Sequence, residues 1–127
     1  MATVLIVDDS KLARIVLKKA LGALKPDWEV CEAENGEQAL SELQNHSIGI
    51  VIVDFNMPGL NGLQLAAEIR RTELQMPIAL VTANVQDEII AQARALTLSF
   101  IAKPVTEEAL RGFISGADLA LRRQSAK

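Results

Sequence analysis

The sequence predicts a small doubly wound α/β domain, a five-stranded parallel sheet with helices on both faces. Three observations lead there. Short apolar, β-branched runs recur along the 127 residues; stretches with apolar side chains at helical spacing separate them; and several runs end in polar residues, Asp8-Asp9, Asp54, Thr82-Ala83-Asn84 and Lys103-Pro104. Five strand–helix alternations demand right-handed crossovers and a parallel sheet covered on both sides. In the order 2-1-3-4-5, a common one for such sheets, the first and third strands are neighbours at the topological switch point.

The elements follow in order. Thr3 to Val7 is the first strand, and Ser10, after Asp8-Asp9, can cap the next helix. From Lys11 to Leu24, Ala13, Val16, Leu17, Ala20 and Leu24 fall on one helical face, Lys11, Arg14 and Lys18 fall opposite, and Ile15 lies off the stripe. Lys25-Pro26-Asp27 ends this helix, and Glu29 to Ala33 reads as a second strand. Asn35-Gly36 reads as a turn before a short helix carrying Ala39, Leu40 and Leu43. Leu65, Ala66 and Ile69 supply a third helical face, Pro77 to Val81 a fourth strand, and Ile89, Ile90, Ala93 and Leu96 a fourth helix. Ser99 to Ala102 is a short fifth strand, and Ala109, Leu110, Phe113, Ile114, Ala117 and Leu121 share the inner face of a last helix.

The third strand organises the rest. Ile50-Val51-Ile52-Val53 is an almost pure β-branched run that stops at Asp54, and Pro58, Gly59 and Gly62 then break regular structure. In open α/β sheets ligands bind in the crevice beyond the strand ends, which is where Asp54 is delivered. On its own, Asp54 also fits a cap or turn residue.

Half of the residues are hydrophobic, enough for one well-buried core and too short a chain for two ordinary domains, so residues 1–127 read as a single domain. The net charge of −3 and scattered Lys and Arg give no basic stripe, which argues against direct nucleic-acid binding. One cysteine, Cys31, makes neither an internal disulfide nor a Cys-rich metal site. With no signal-peptide pattern and no apolar run of membrane-spanning length, the expected location is cytoplasmic, away from the membrane.

In the 2-1-3-4-5 order, Asp8, Asp9 and Asp54 converge. Two carboxylates about 4 Å apart repel by roughly 4 kcal/mol at an effective dielectric of about 20, so three together need a cation or a proton. Hard oxygen ligands on loops favour Mg²⁺, which accepts one or two carboxylates plus phosphate oxygens and keeps several waters. Thr82 and Lys103 end the fourth and fifth strands on the same rim. A hydroxyl, an ammonium and a divalent cation around one carboxylate make a site for a phosphoryl group.

With these residues in place, the sequence resembles the receiver domain of two-component response regulators over essentially its whole length. The resemblance is carried by Asp8-Asp9, by Asp54-Phe55-Asn56-Met57-Pro58 with Gly62, by Thr82-Ala83 and by Lys103-Pro104. Each motif is weak alone, and the four in order are highly specific. The family has the flavodoxin-like (βα)5 fold, and its chemotaxis receivers are a standard example of the 2-1-3-4-5 order, so that order is not independent of the resemblance.

The resemblance implies that Asp54 is the phosphoacceptor and that Asp9, Asp54 and the backbone carbonyl of Asn56 bind Mg²⁺, with Asp8 acting through water. It implies a sensor histidine kinase or histidine phosphotransfer protein as phosphoryl donor, a downstream protein target, and a monomer or a phosphorylation-dependent homodimer. Receivers catalyse their own phosphorylation and dephosphorylation and are signalling proteins, not metabolic enzymes. Thr82 with Ala83 would bond the phosphoryl group, Phe100 would swing inward, and the surface of the fourth helix, fifth strand and fifth helix would change its partner binding. The Lys103-Pro104 peptide is expected to be cis, aiming Lys103 into the site.

Some residues depart from the family or carry a simpler reading. Ala95-Leu96-Thr97-Leu98 lacks the glycine usual before the fifth strand, so the fourth helix is expected to end differently, with Leu96 and Leu98 either packed or part of an apolar patch. Cys31 reads as a small buried hydrophobe, His46 as structural or solvent-facing, and Trp28 as a packing residue. Arg122 and Arg123 suit a helix C-terminus.

Rival classes fail on particular residues. A haloacid-dehalogenase-like phosphatase needs an acid two residues after its nucleophile, where Asn56 stands, and a flavodoxin-like electron carrier needs a phosphate cradle where Asp8-Asp9 would repel it. The remaining alternatives are a docking module that no longer depends on phosphorylation, or a receiver cut from a longer regulator. With no output region after Gly116 to Lys127, a receiver acting alone in motility or in a phosphorelay is the expectation.

Overall fold

A computed structural model describes residues 2–72, 75–83 and 86–125. Its elements are β1 (Thr3–Val7), α1 (Lys11–Leu24), β2 (Glu29–Ala33), α2 (Gly36–Asn45), β3 (Ile50–Asp54), α3 (Gly62–Arg71), β4 (Ile78–Thr82), α4 (Asp87–Ala95), β5 (Ser99–Ala102) and α5 (Glu107–Ser125). All neighbours in the sheet are parallel and the order is 2-1-3-4-5, as expected. Asn84, expected just beyond the fourth strand, and Ala126-Lys127 of the tail lie outside the described residues.

Every residue of β3 and β4 is buried, because these strands have a neighbour on each side and helices on both faces. Alternate side chains feed two cores. Leu5, Val51, Val53, Ile78 and Leu80 meet Ala39, Leu65, Ala66, Ile69 and Ala93 of α2, α3 and α4. Val4, Ile6, Ile50, Ile52 and Val81 meet Leu17, Leu21, Leu110, Phe113, Ile114 and Ala117 of α1 and α5. Each fully buried Ile or Leu contributes about 1.5–3 kcal/mol, so the two layers hold the strand ends in fixed register.

Several details correct the sequence reading. In α1 the buried residues are Arg14, Leu17 and Leu21, while Val16 is 59% exposed and Ile15 faces solvent too. Arg14 can lie inside because its guanidinium is paired, donating to Asp8 O at 2.5 Å and to Glu32 Oε1 at 3.0 Å. Asn35-Gly36 is a helix start rather than a free turn, since Asn35 Oδ1 accepts from Gln38 N at 2.8 Å and Gly36 is the first residue of α2. β4 begins at Ile78, because Pro77 has no N–H for the ladder and only its carbonyl serves, accepting from Val51 N. Ala109 is exposed, its N–H tied to Thr106 Oγ1 at the start of α5.

The end of α4 does differ from a glycine-terminated helix. Thr97 takes the left-handed conformation, φ 57°, with Thr97 N donating to Arg94 O and Leu98 N to Ala93 O, the paired bonds of a Schellman cap. Arg70 of α3 clamps this end, donating to Leu96 O at 2.9 Å and to Met76 O at 2.8 Å. Leu96 and Leu98 pack against the α2–α4 core, and Trp28 against the α1–α5 core with Lys25 Nζ over its ring. Near the end of α5, Arg122 pairs with Asp118.

Candidate functional site

Parallel strands of similar length bring the C-terminal residues of β1, β3, β4 and β5 to one rim. Asp8 follows β1, Asp54 ends β3, Thr82 ends β4 and Lys103 follows β5, with Lys103 N donating to Thr82 O at 2.9 Å. Asp8, Asp54 and Thr82 are buried, and Asp9 is exposed. One carboxylate oxygen from each of Asp8, Asp9 and Asp54 lies within 4.8 Å of the others.

Gly62 sets how tightly the rim closes. A Cβ there would stand 2.5 Å from Asp54 O and 2.9 Å from Phe55 Cα, so only glycine lets α3 start directly under the end of β3. Gly62 N donates to Phe55 O, and Asn61 with Gln64 forms a reciprocal capping box that fixes the helix start. Gly59 turns the intervening loop with φ 76°.

The electrostatics are strained toward a cation. Burial, and then the charges of Asp54 and Asp9, push the Asp8 carboxyl above its ordinary value, against the Ser10 N–H bond and the Lys103 charge. Lys103 Nζ lies 2.6 Å from Asp54 Oδ1, yet the contact lacks the angle of a hydrogen bond and that buried oxygen has no other partner among the described residues. The Lys103-Pro104 bond is cis.

These donors fit Mg²⁺. All are hard carboxylate oxygens, and octahedral ligands on a cation at about 2.0–2.1 Å stand about 3–4 Å apart, close to the spacing present. Asn56 follows directly on the rim and is exposed, as is Ala83, and Phe100 is half-buried in β5, paired with Leu80. Arg14 is the rim's unanticipated neighbour: it holds the Asp8 carbonyl, and a basic residue six positions after Asp8 with acids in β2 was the available signal.

The response regulator receiver domain matches residues 4–115. The chain belongs to that family. Receivers are the phosphorylation-activated switches of two-component signalling, and this chain is one of them. It is 38% identical over 126 residues, 97% of its length, to the positive alginate biosynthesis regulatory protein of Pseudomonas aeruginosa, of which it spans only 50%. It is 37% identical over 111 residues to a chemotaxis protein CheY homolog of Campylobacter jejuni, covering 84% of this chain and 85% of that one. Among solved structures it is similar to the chemotaxis protein CheY4 of Vibrio cholerae, with a TM-score of 0.83, 28% identity, and 92% and 98% of the two chains covered. No helix among the described residues is long and apolar enough to cross a membrane.

Proposed function

We propose that the receiver takes a phosphoryl group onto Asp54 from a phosphohistidine of a sensor kinase or phosphotransfer protein. The P–N bond breaks as the Asp54 O–P bond forms, and the electron pair leaves on the imidazole nitrogen. The observation that carries this reading is the 2.6 Å pair of Lys103 with the buried Asp54, beside the two other carboxylates. Lys103 neutralises phosphoryl oxygens in line with the attack. Asp9, Asp54 and the Asn56 carbonyl, with Asp8 through water, are the groups to hold Mg²⁺, which when bound offsets phosphoryl charge and aligns donor and acceptor. Slow attack of water on the acyl phosphate resets the receiver.

Thr82 lies between Asp54 and Lys103 in strand order, so it is the hydroxyl best placed to bond the added oxygens, with the backbone of Ala83 beside it. Its movement, with Phe100, changes the α4–β5–α5 surface that meets a downstream protein. Residues 1–127 are read as one receiver in the cytoplasm, working alone or within a longer regulator, without contacting nucleic acid or membrane itself. It works as a monomer or as a dimer formed on phosphorylation.

Acetyl phosphate with Mg²⁺ separates this switch from a docking module. Intact mass should rise by one phosphoryl group, and chelation of Mg²⁺ should prevent it. An unchanged mass under both conditions would leave docking alone.

A further inference from the structure

Away from the acidic rim, a thiol, a carboxylate and an imidazole meet at the edge of the sheet. Cys31 in β2, Glu42 in α2 and His46 at the C-cap of α2 each bring one ligand atom within 4.8 Å of the other two. Glu42 and His46 stand four residues apart, so the helix presents them together, and His46 Nε2 is already 3.1 Å from Glu42 Oε2. Cys31 lies on the α2 side of the strand, against the same core as Leu40 and Leu43. Both supports are rigid: the β1–β2 ladder pairs Cys31 with Leu5, and His46 N donates to Glu42 O at the helix end.

We propose that Cys31, Glu42 and His46 form a second cation site, selective for Zn²⁺, with its fourth position open to water. One sulfur, one nitrogen and one oxygen donor match Zn²⁺ and are a poor set for Mg²⁺, which the rim serves with oxygen alone. Tetrahedral bonds of about 2.0–2.3 Å place ligand atoms about 3.5 Å apart, so the Glu42–His46 pair, at 3.1 Å, is already near that spacing, and loading asks Cys31 to close on it by about 1 Å at most. His46, with 53% of its side chain exposed, has room to turn, and the same exposure leaves the fourth position to solvent.

The local charge favours a cation. Besides burial, the carboxylates of Glu42 and Glu29 disfavour a bare thiolate, pushing the Cys31 pKa up. A divalent ion offsets that charge, and the thiol proton leaves to solvent as the metal–sulfur bond forms. Loading would fasten α2 to the edge strand and stabilise the fold in proportion to site occupancy. The site is independent of the phosphoacceptor assignment.

Co²⁺ reports it directly. Titrated into the full chain in excess Mg²⁺, Co²⁺ should bind one per chain with a thiolate-to-cobalt charge-transfer band in the near ultraviolet, and Zn²⁺ should displace it. Cys31→Ser should remove the band. His46→Ala, at an exposed position, should weaken binding about tenfold or more while the metal-free melting curve stays as in the wild type. Absence of the band in the wild-type chain overturns the site, and so does wild-type Co²⁺ affinity in His46→Ala. If Cys31→Ser does not fold, His46→Ala decides alone.

Discussion

Lys103 Nζ and Asp54 Oδ1 stand 2.6 Å apart, linking the end of β5 to the end of β3 across the tip of β4, where Thr82 sits. The pair therefore spans the strand through which a change at Asp54 would travel. Asp54 is 4% exposed and its partner about a third exposed, so the ammonium can follow added phosphoryl oxygens while the carboxylate stays fixed.

Replacing the ammonium tests its part in transfer. Lys103→Met keeps the stem and removes the charge, and phosphorylation by acetyl phosphate should slow by about 10²-fold or more. Mg²⁺ binding, measured separately, should persist. Wild-type transfer rates in Lys103→Met would remove this residue from the chemistry.

The acidic cluster makes a pH prediction. Asp8 has a folded pKa raised above its ordinary 3.8, so the folded chain holds this proton more tightly than the unfolded one. Its contribution to metal-free stability is fullest below 3.8 and is lost as pH rises through the raised value. Asp8→Asn keeps an acceptor for Ser10 N and should raise metal-free stability at neutral pH while flattening that slope. Asp9→Ala should weaken Mg²⁺ binding sharply, with a smaller stabilising effect because Asp9 is exposed. Denaturant titrations across pH, without metal, check both. A large loss of stability in Asp9→Ala would make it a structural cap.

Gly62→Ala should destabilise by about 1–3 kcal/mol, because its methyl would meet Leu80 Cδ1 and also the backbone carbonyl of Asp54 and Phe55 Cα, which cannot yield as a side chain can. Equilibrium unfolding measures it. A neutral result would mean that α3 can shift away from β3 at little cost.

Much of this was written in the order of the residues, for reasons that differ by element. Ile50 to Val53 announces a buried strand because only a strand covered on both faces takes so long an apolar run. The convergence of Asp8, Asp54, Thr82 and Lys103 follows from their places at strand ends once the strands take the 2-1-3-4-5 order, which the family resemblance supplied. Arg14 was hidden because helical periodicity treats a guanidinium as a surface group, and its partners Asp8 O and Glu32 are set by tertiary packing. The missing glycine after α4 was visible, but not that Thr97 would take the left-handed turn, clamped by Arg70 through the Leu96 carbonyl. Cys31 and His46 were each read alone and Glu42 not at all, since nothing local shows that the edge strand and the helix end share one face.

Thr82→Ala tests the coupling route. The variant should still accept a phosphoryl group at Asp54, but should lose most of the change in hydrogen exchange that beryllofluoride with Mg²⁺ induces in residues 86–100 of the wild type. Partner affinity should fall with it. A wild-type response in Thr82→Ala would place the coupling elsewhere.

The central claim is that Asp54, and no other carboxylate of the rim, carries the phosphoryl group. Borohydride reduces an acyl phosphate to an alcohol, so treating the chain after acetyl phosphate and Mg²⁺ leaves a mass mark that peptide sequencing can locate. The mark should fall on residue 54 alone and be absent from Asp54→Asn, whose amide fits the same volume but is a poor nucleophile. A mark on Asp8 or Asp9 in the wild type, or undiminished labelling in Asp54→Asn, would contradict the assignment.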